Sequence, residues 1–175
     1  MAPTITLVRR LLIACVVIGG LTACSSSPTL THAGSGHGTG RPFTIGEPAI
    51  ERASGATVTV LGFDQGPLTS DYIPANAASR LTAADVKVCE GRTGAWRPDP
   101  DRFTLQVPDH DPIAQTLPAK LPALDVTGLR PGTCVEGWLT FMVPNPAAGP
   151  TSSGPTGPTY VRYRDQDSSA MWRAA

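Results

Sequence analysis

Arg130-Pro131-Gly132-Thr133-Cys134-Val135-Glu136-Gly137-Trp138-Leu139-Thr140-Phe141-Met142-Val143-Pro144 is the stretch from which the architecture is read. Proline presets φ at the second corner of a turn and glycine accepts positive φ at the third, so Arg130 to Thr133 reads as a type II turn launching a strand. From Thr133 to Val143 the side chains alternate. Val135, Leu139, Phe141 and Val143 share one face, and Cys134, Glu136 and Trp138 share the other.

Working outward, short segments rich in valine, threonine and aromatics recur between proline and glycine punctuation, and helical periodicity is nearly absent. Strands are expected near Phe43 to Ile45, Ala56 to Phe63, Asp85 to Cys89, Phe103 to Val107 and Thr159 to Tyr163, with a last short one around Met171 and Trp172. Pro144 to Pro158 is rich in proline, glycine and serine and reads as a mobile loop. The residues themselves read as all-β, a sandwich or a barrel, in a single domain.

The N-terminus sets the address. Arg9 and Arg10 precede an apolar run from Leu11 to Leu21, which ends in Leu21-Thr22-Ala23-Cys24. The run is shorter than the roughly 20 apolar residues a membrane span needs and matches the h-region of an export signal. The small residues leading into cysteine are those of a bacterial lipoprotein signal. Residues 1–23 are therefore expected to be removed and Cys24 to be lipidated. Two or more acyl chains anchor stably, where a single chain binds only marginally. Ser25 to Arg41 is serine, threonine, glycine and histidine with little to bury, so residues 24–42 read as the lipidated cysteine and a disordered tether, and 43–175 as the folded domain. The expected location is the cell membrane, on its extracytoplasmic side.

Composition narrows the function classes. The 175 residues carry 14 acidic and 14 basic side chains. Losing Arg9 and Arg10 leaves the mature chain slightly acidic. That balance excludes a nucleic-acid partner, which would call for clustered Lys and Arg. Of four cysteines, Cys15 lies in the leader and Cys24 takes lipid, leaving Cys89 and Cys134. An isolated pair in an oxidising compartment is expected to form a disulfide rather than a metal site. Alternation turns both cysteines away from the main core, so they can bridge only from neighbouring strands of one sheet.

Candidate chemistry is sparse. Asp99, Asp101, Asp109 and Asp111 flank one strand with His110 among them, but the glycine of a calcium loop is absent and Arg97 and Arg102 intervene. Acidic turns beside a strand explain them as well as a metal does. No serine sits on a nucleophile elbow, and His110 is the only histidine after the tether, so no catalytic residue and no cofactor is expected. Among Trp96, Trp138 and Trp172, Trp138 lies with Glu136 on the face away from the apolar set and is the candidate interaction residue.

Taken in order, Ala83 to Cys89, Phe103-Thr104-Leu105, the Arg130 to Pro144 block, Tyr160 to Tyr163 and Met171-Trp172 resemble a family. It is that of actinobacterial lipoproteins carrying a telokin-like, immunoglobulin-like domain of unknown function, related to a secreted mycobacterial antigen. The resemblance spans Gly46 to Trp172 and implies a two-sheet immunoglobulin-like β-sandwich, which is the expected fold; it places the family's two cysteines at Cys89 and Cys134 and supplies no catalytic residues. The sequence thus points to a lipid-anchored, exported, non-enzymatic module meeting an envelope protein partner. The rival reading is a lipoprotein that binds a small molecule or a metal ion.

Overall fold

In the computed structural model, the residues described are 30–32, 40–68, 78–94, 96, 98–145, 157–165 and 168–175. The expected leader, Cys24 and most of the Pro144 to Pro158 loop lie outside them. The strands are β1 (Leu30–His32), β2 (Ala49–Glu51), β3 (Thr57–Leu68), β4 (Ser79–Cys89), β5 (Phe103–Gln106), β6 (Ile113–Thr116), β7 (Cys134–Pro144), β8 (Tyr160–Asp165) and β9 (Ser168–Arg173). One 3-10 turn, Pro100–Arg102, precedes β5.

These strands form one sheet in the order β1-β2-β3-β4-β7-β6-β5-β8-β9, and every pairing is antiparallel. The eight from β2 to β9 curl until the sheet nearly closes into a barrel. Across the remaining gap Phe43 makes a parallel bridge to Trp172. Its N–H donates to the Met171 carbonyl at 2.7 Å, the Arg173 N–H donates to its carbonyl at 2.9 Å, and three residues on Gly46 N–H donates to Val60 on β3 at 2.8 Å. The segment expected as a strand at Phe43 to Ile45 is this strap.

The expected two-sheet immunoglobulin-like sandwich is therefore not what forms. The physical reason is β6. Gln115 and Thr116 pair with Phe141 and Thr140 on β7, while Ala114 and Ile113 pair with Thr104 and Leu105 on β5. This four-residue strand splices β1-β2-β3-β4-β7 to β5-β8-β9. Without it the same strands would make two facing sheets.

Alternation builds the core as the sequence requires. Val58 and Val60 from β3, Val86 and Val88 from β4, Phe141 from β7, Phe103 and Leu105 from β5, Val161 and Tyr163 from β8 and Trp172 from β9 are almost wholly buried in one cluster. Burying each such side chain is worth about 1.5–3 kcal/mol. Trp172 satisfies its indole by donating to the Glu47 carbonyl at 2.8 Å, and Phe43 packs at 5.3 Å from it. Trp96 stands edge-on to Tyr163 at 5.8 Å and donates to Asp165 Oδ2 at 3.1 Å. Burial pushes the Tyr163 hydroxyl up to about 12.

The longest ladder joins β4 to β7 without a shift from Ser79 opposite Pro144 to Cys89 opposite Cys134. Its last rung is covalent: Cys89 and Cys134 form a disulfide with Cα atoms 4.0 Å apart. Cys89 is half-buried and Cys134 exposed, so the bridge lies on the outer face between neighbouring strands. The turn before β7 also forms, with Gly132 at φ 76° and the Thr133 N–H donating to the Arg130 carbonyl at 2.9 Å.

Inside the expected tether, Leu30–His32 pairs with Ala49–Glu51 as β1. Leu30 is buried in the common core.

Candidate functional site: an arch over the outer wall

Trp138 sits on the convex face of β7 and is half-buried. Its cross-strand neighbour on β4 is Asp85, so alternation puts a tryptophan and a carboxylate side by side outside the barrel. Lys120 reaches over from the segment after β6, with its Nζ 3.6 Å from the centre of the Trp138 ring. That ammonium also pairs with Asp64 Oδ2 at 2.5 Å. Attraction of a cation to a ring face adds about 0.5–1 kcal/mol at an exposed site.

Charges around the ring are mutually tuned. The hydrogen bond from Lys120, helped by the Gly66 N–H, holds the Asp64 carboxyl below the usual range. Asp85 is raised, first by burial beside the indole and second by repulsion from Glu136, with Lys120 pulling the other way. One lysine thus serves two carboxylates and a ring.

The segment bearing Lys120 is an arch. After Thr116 the chain leaves β7, passes through Leu117-Pro118-Ala119-Lys120-Leu121-Pro122, and returns where Ala123 makes a parallel bridge to Trp138. The Trp138 N–H donates to the Pro122 carbonyl at 2.8 Å and the Leu124 N–H donates to the Trp138 carbonyl at 3.1 Å. Midway, the Ala119 N–H is held by Thr140 Oγ1 at 3.0 Å. Gly137 permits the close return: a Cβ there would stand 2.6 Å from both the N and the Cα of Leu124.

Beside the arch lies an open groove of about 420 Å³ whose lining includes Leu117, Pro118, Leu124, Trp138, Asp101 and Gln115. Gln115 Nε2 donates to Asp101 Oδ1 at 2.6 Å, closing its polar rim. Leu117 is 60% exposed and Leu121 77% exposed. These are the two most exposed of the large apolar side chains among the described residues. Pro118 and Pro122 follow them directly, fixing backbone that already presents apolar surface.

The acidic residues expected near β5 do not converge. Asp99 caps the 3-10 turn by accepting from the Asp101 N–H and lies 3.6 Å from Arg102. Asp109 adopts φ 61° in the exposed turn between β5 and β6, which also carries His110 and Asp111. Among the described residues no three carboxylate, histidine or cysteine side chains are placed to hold a metal ion. Of the expected site residues, Trp138 is in the groove wall, the cysteine pair is at one end of the barrel, and Cys24 lies outside the described residues. Leu117 and Leu121 were missed. Their signal is the repeated tripeptide Leu117-Pro118-Ala119 and Leu121-Pro122-Ala123, too polar in context for a strand and too apolar for an ordinary loop.

Comparison of the chain with protein-family models, curated proteins and solved structures found no match.

Proposed function

We propose that this chain is an exported, lipid-anchored and non-enzymatic binding domain that meets an envelope protein partner through the Leu117 to Leu121 arch and Trp138. The observation that carries the binding role is the groove lined by the solvent-facing Leu117 and the half-buried Trp138, with the still more exposed Leu121 on the same arch. Exposed apolar side chains clustered against a tryptophan, with a polar rim, are the composition of an interaction site rather than of an idle surface. The extracytoplasmic, membrane-anchored address rests on Arg9-Arg10, the Leu11 to Leu21 run and Leu21-Thr22-Ala23-Cys24. The resemblance to actinobacterial lipoproteins supports the same address, although the sandwich it implied is replaced by the near-closed barrel.

Site-specific photocrosslinking on intact cells tests the binding role. A photoreactive residue at position 121 should yield one discrete protein adduct, whereas the same group in place of Ile45, which is 37% exposed on the strap, should not. Identical adduct patterns from both positions refute it. Mass spectrometry of the Cys24 peptide tests the anchor separately, with diacylglyceryl and acyl additions expected.

A further inference from the structure

We propose that the mouth of the barrel at the end away from the disulfide binds a short-chain carboxylic acid, with the carboxylate on Arg80 and the alkyl chain against Phe63, Leu105, Val107 and Val143. The site lies inside the barrel and goes beyond the arch on the outer wall, on which it does not depend.

The β4–β7 register places the arginine. Val88, Val86, Ala84, Thr82 and Arg80 follow one another at every second position of β4, opposite Val135, Gly137, Leu139, Phe141 and Val143 of β7. Directly opposed residues of two paired strands share a face. Phe141 and Val143 are buried in the core, so Arg80 ends the same inward row. An apolar ladder thus finishes in a threonine and then a cation.

The two ends of the barrel differ. Near the disulfide end, buried Trp96 and Tyr163 pack edge to face and fill the interior. Around Arg80 a cavity of about 170 Å³ remains, its walls including Phe63, Leu105, Val107 and Val143. β3 bulges at this rim: Asp64 is paired with Ala83 and Leu68 with Leu81, so three residues of β3 stand against Thr82 alone and the ladder parts there. Gln65, the first of the three, accepts from Arg80 Nη1 at 3.3 Å through its backbone carbonyl. The Thr82 hydroxyl is engaged with the Asp64 carbonyl.

Arg80 is short of acceptors. Its Nε is buried with no hydrogen-bond partner, and it makes no ion pair with a described residue. It is the one charged side chain in the cavity lining. Asp109 and Asp111 stand at the same end, in the exposed β5–β6 turn, but outside that lining. An arginine that merely snorkels keeps its charged head in water; here one donor of the head is dry, and an unmet donor on a charged group costs more than one on a neutral group. A carboxylate supplies what is missing, because its two oxygens match the parallel N–H groups of Nε and one Nη. Phosphate would meet the same fork but would turn its remaining charged oxygens toward apolar walls.

Size sets the chain length. At about 30 Å³ for each liquid water the cavity equals five or six waters, the bulk of an acid with about eight non-hydrogen atoms, such as hexanoate. Barrels of about eight strands have interior room for one small ligand, and their mouths are recurrent binding sites.

Equilibrium dialysis of radiolabelled hexanoate against the purified full chain in lipid vesicles, with protein-free vesicles as the blank, tests this. One saturable site per chain is expected. Unlabelled hexanoate should displace the label, while hexanol, which keeps the chain without the charge, and inorganic phosphate, which keeps the charge without the chain, should displace it far less. Arg80→Gln should weaken binding about ten- to a hundredfold. Val107→Phe narrows the cavity without touching the arginine, should also weaken binding, and decides the matter if Arg80→Gln does not fold. Absence of saturable uptake, displacement by hexanol or phosphate as effective as by hexanoate, or undiminished binding in whichever variant folds overturns the proposal. None of these results bears on the arch, which the crosslinking tests.

Discussion

Replacing Cys89 and Cys134 together by alanine removes the covalent rung of the β4–β7 ladder while leaving its hydrogen bonds in place. The bridge closes a loop with a sequence separation of 45, and the chain-entropy relation converts that length to about 4 kcal/mol at 25 °C. Little native packing is lost in return, since Cys134 is exposed and Cys89 only half-buried on the outer face. The effect should therefore act through the unfolded chain. For a chain of this size about 4 kcal/mol corresponds to a fall in Tm of roughly 8–16 °C. Calorimetry of the wild type, the wild type in reductant and the double variant at pH 7 checks it. Reductant should lower the wild-type Tm to that of the variant and leave the variant unmoved. A shift below about 2 °C would refute the reasoning, showing that the β4–β7 pairing persists in the unfolded ensemble without the bridge.

Other outcomes follow from the arch and the turns. Gly137→Ala drives a Cβ into Leu124 backbone, so the arch should lift from β7, lowering stability by about 1–3 kcal/mol and abolishing any crosslink from position 121. Asp85→Asn should stabilise at pH 7 by about 0.5 kcal/mol. The raised carboxyl of Asp85 holds its proton more tightly folded than unfolded, so the wild type loses stability as pH rises through and above the ordinary carboxylate range; the advantage of the variant should vanish near pH 3, which melts at both pH values would show. Glu51→Ala strands the donors of Ala53 and Ser54 in a buried turn. It should cost about 2–4 kcal/mol in urea denaturation, with Glu51→Gln retaining part of the loss.

Long alternating strands were legible because one face of each is buried and the other solvated. In β4 and β7 the valines and phenylalanine turn inward as their spacing demands, and the same alternation put Cys89 and Cys134 outside on neighbouring strands. Short strands were not legible. Ala49-Ile50-Glu51 buries a glutamate, and Ile113 to Thr116 lies between prolines with a single large apolar side chain. Missing the second of these changed the architecture, because a strand list without β6 divides naturally into two sheets. The arch escaped for a related reason: its leucines are exposed, and periodicity reports only what is buried. Trp138 was legible by face, while the lysine over its ring came from a segment distant in sequence.

The brevity of β6 has a mechanical consequence. Against the eleven-residue strands β4 and β7, the splice holds each half of the wall through only two opposed residue pairs. Force applied across the body concentrates at that stitch, and the chain leaving it runs straight into Leu117 and the arch. A pull on those leucines would pass directly into a ladder of two pairs, as short as the one that joins β2 to β3.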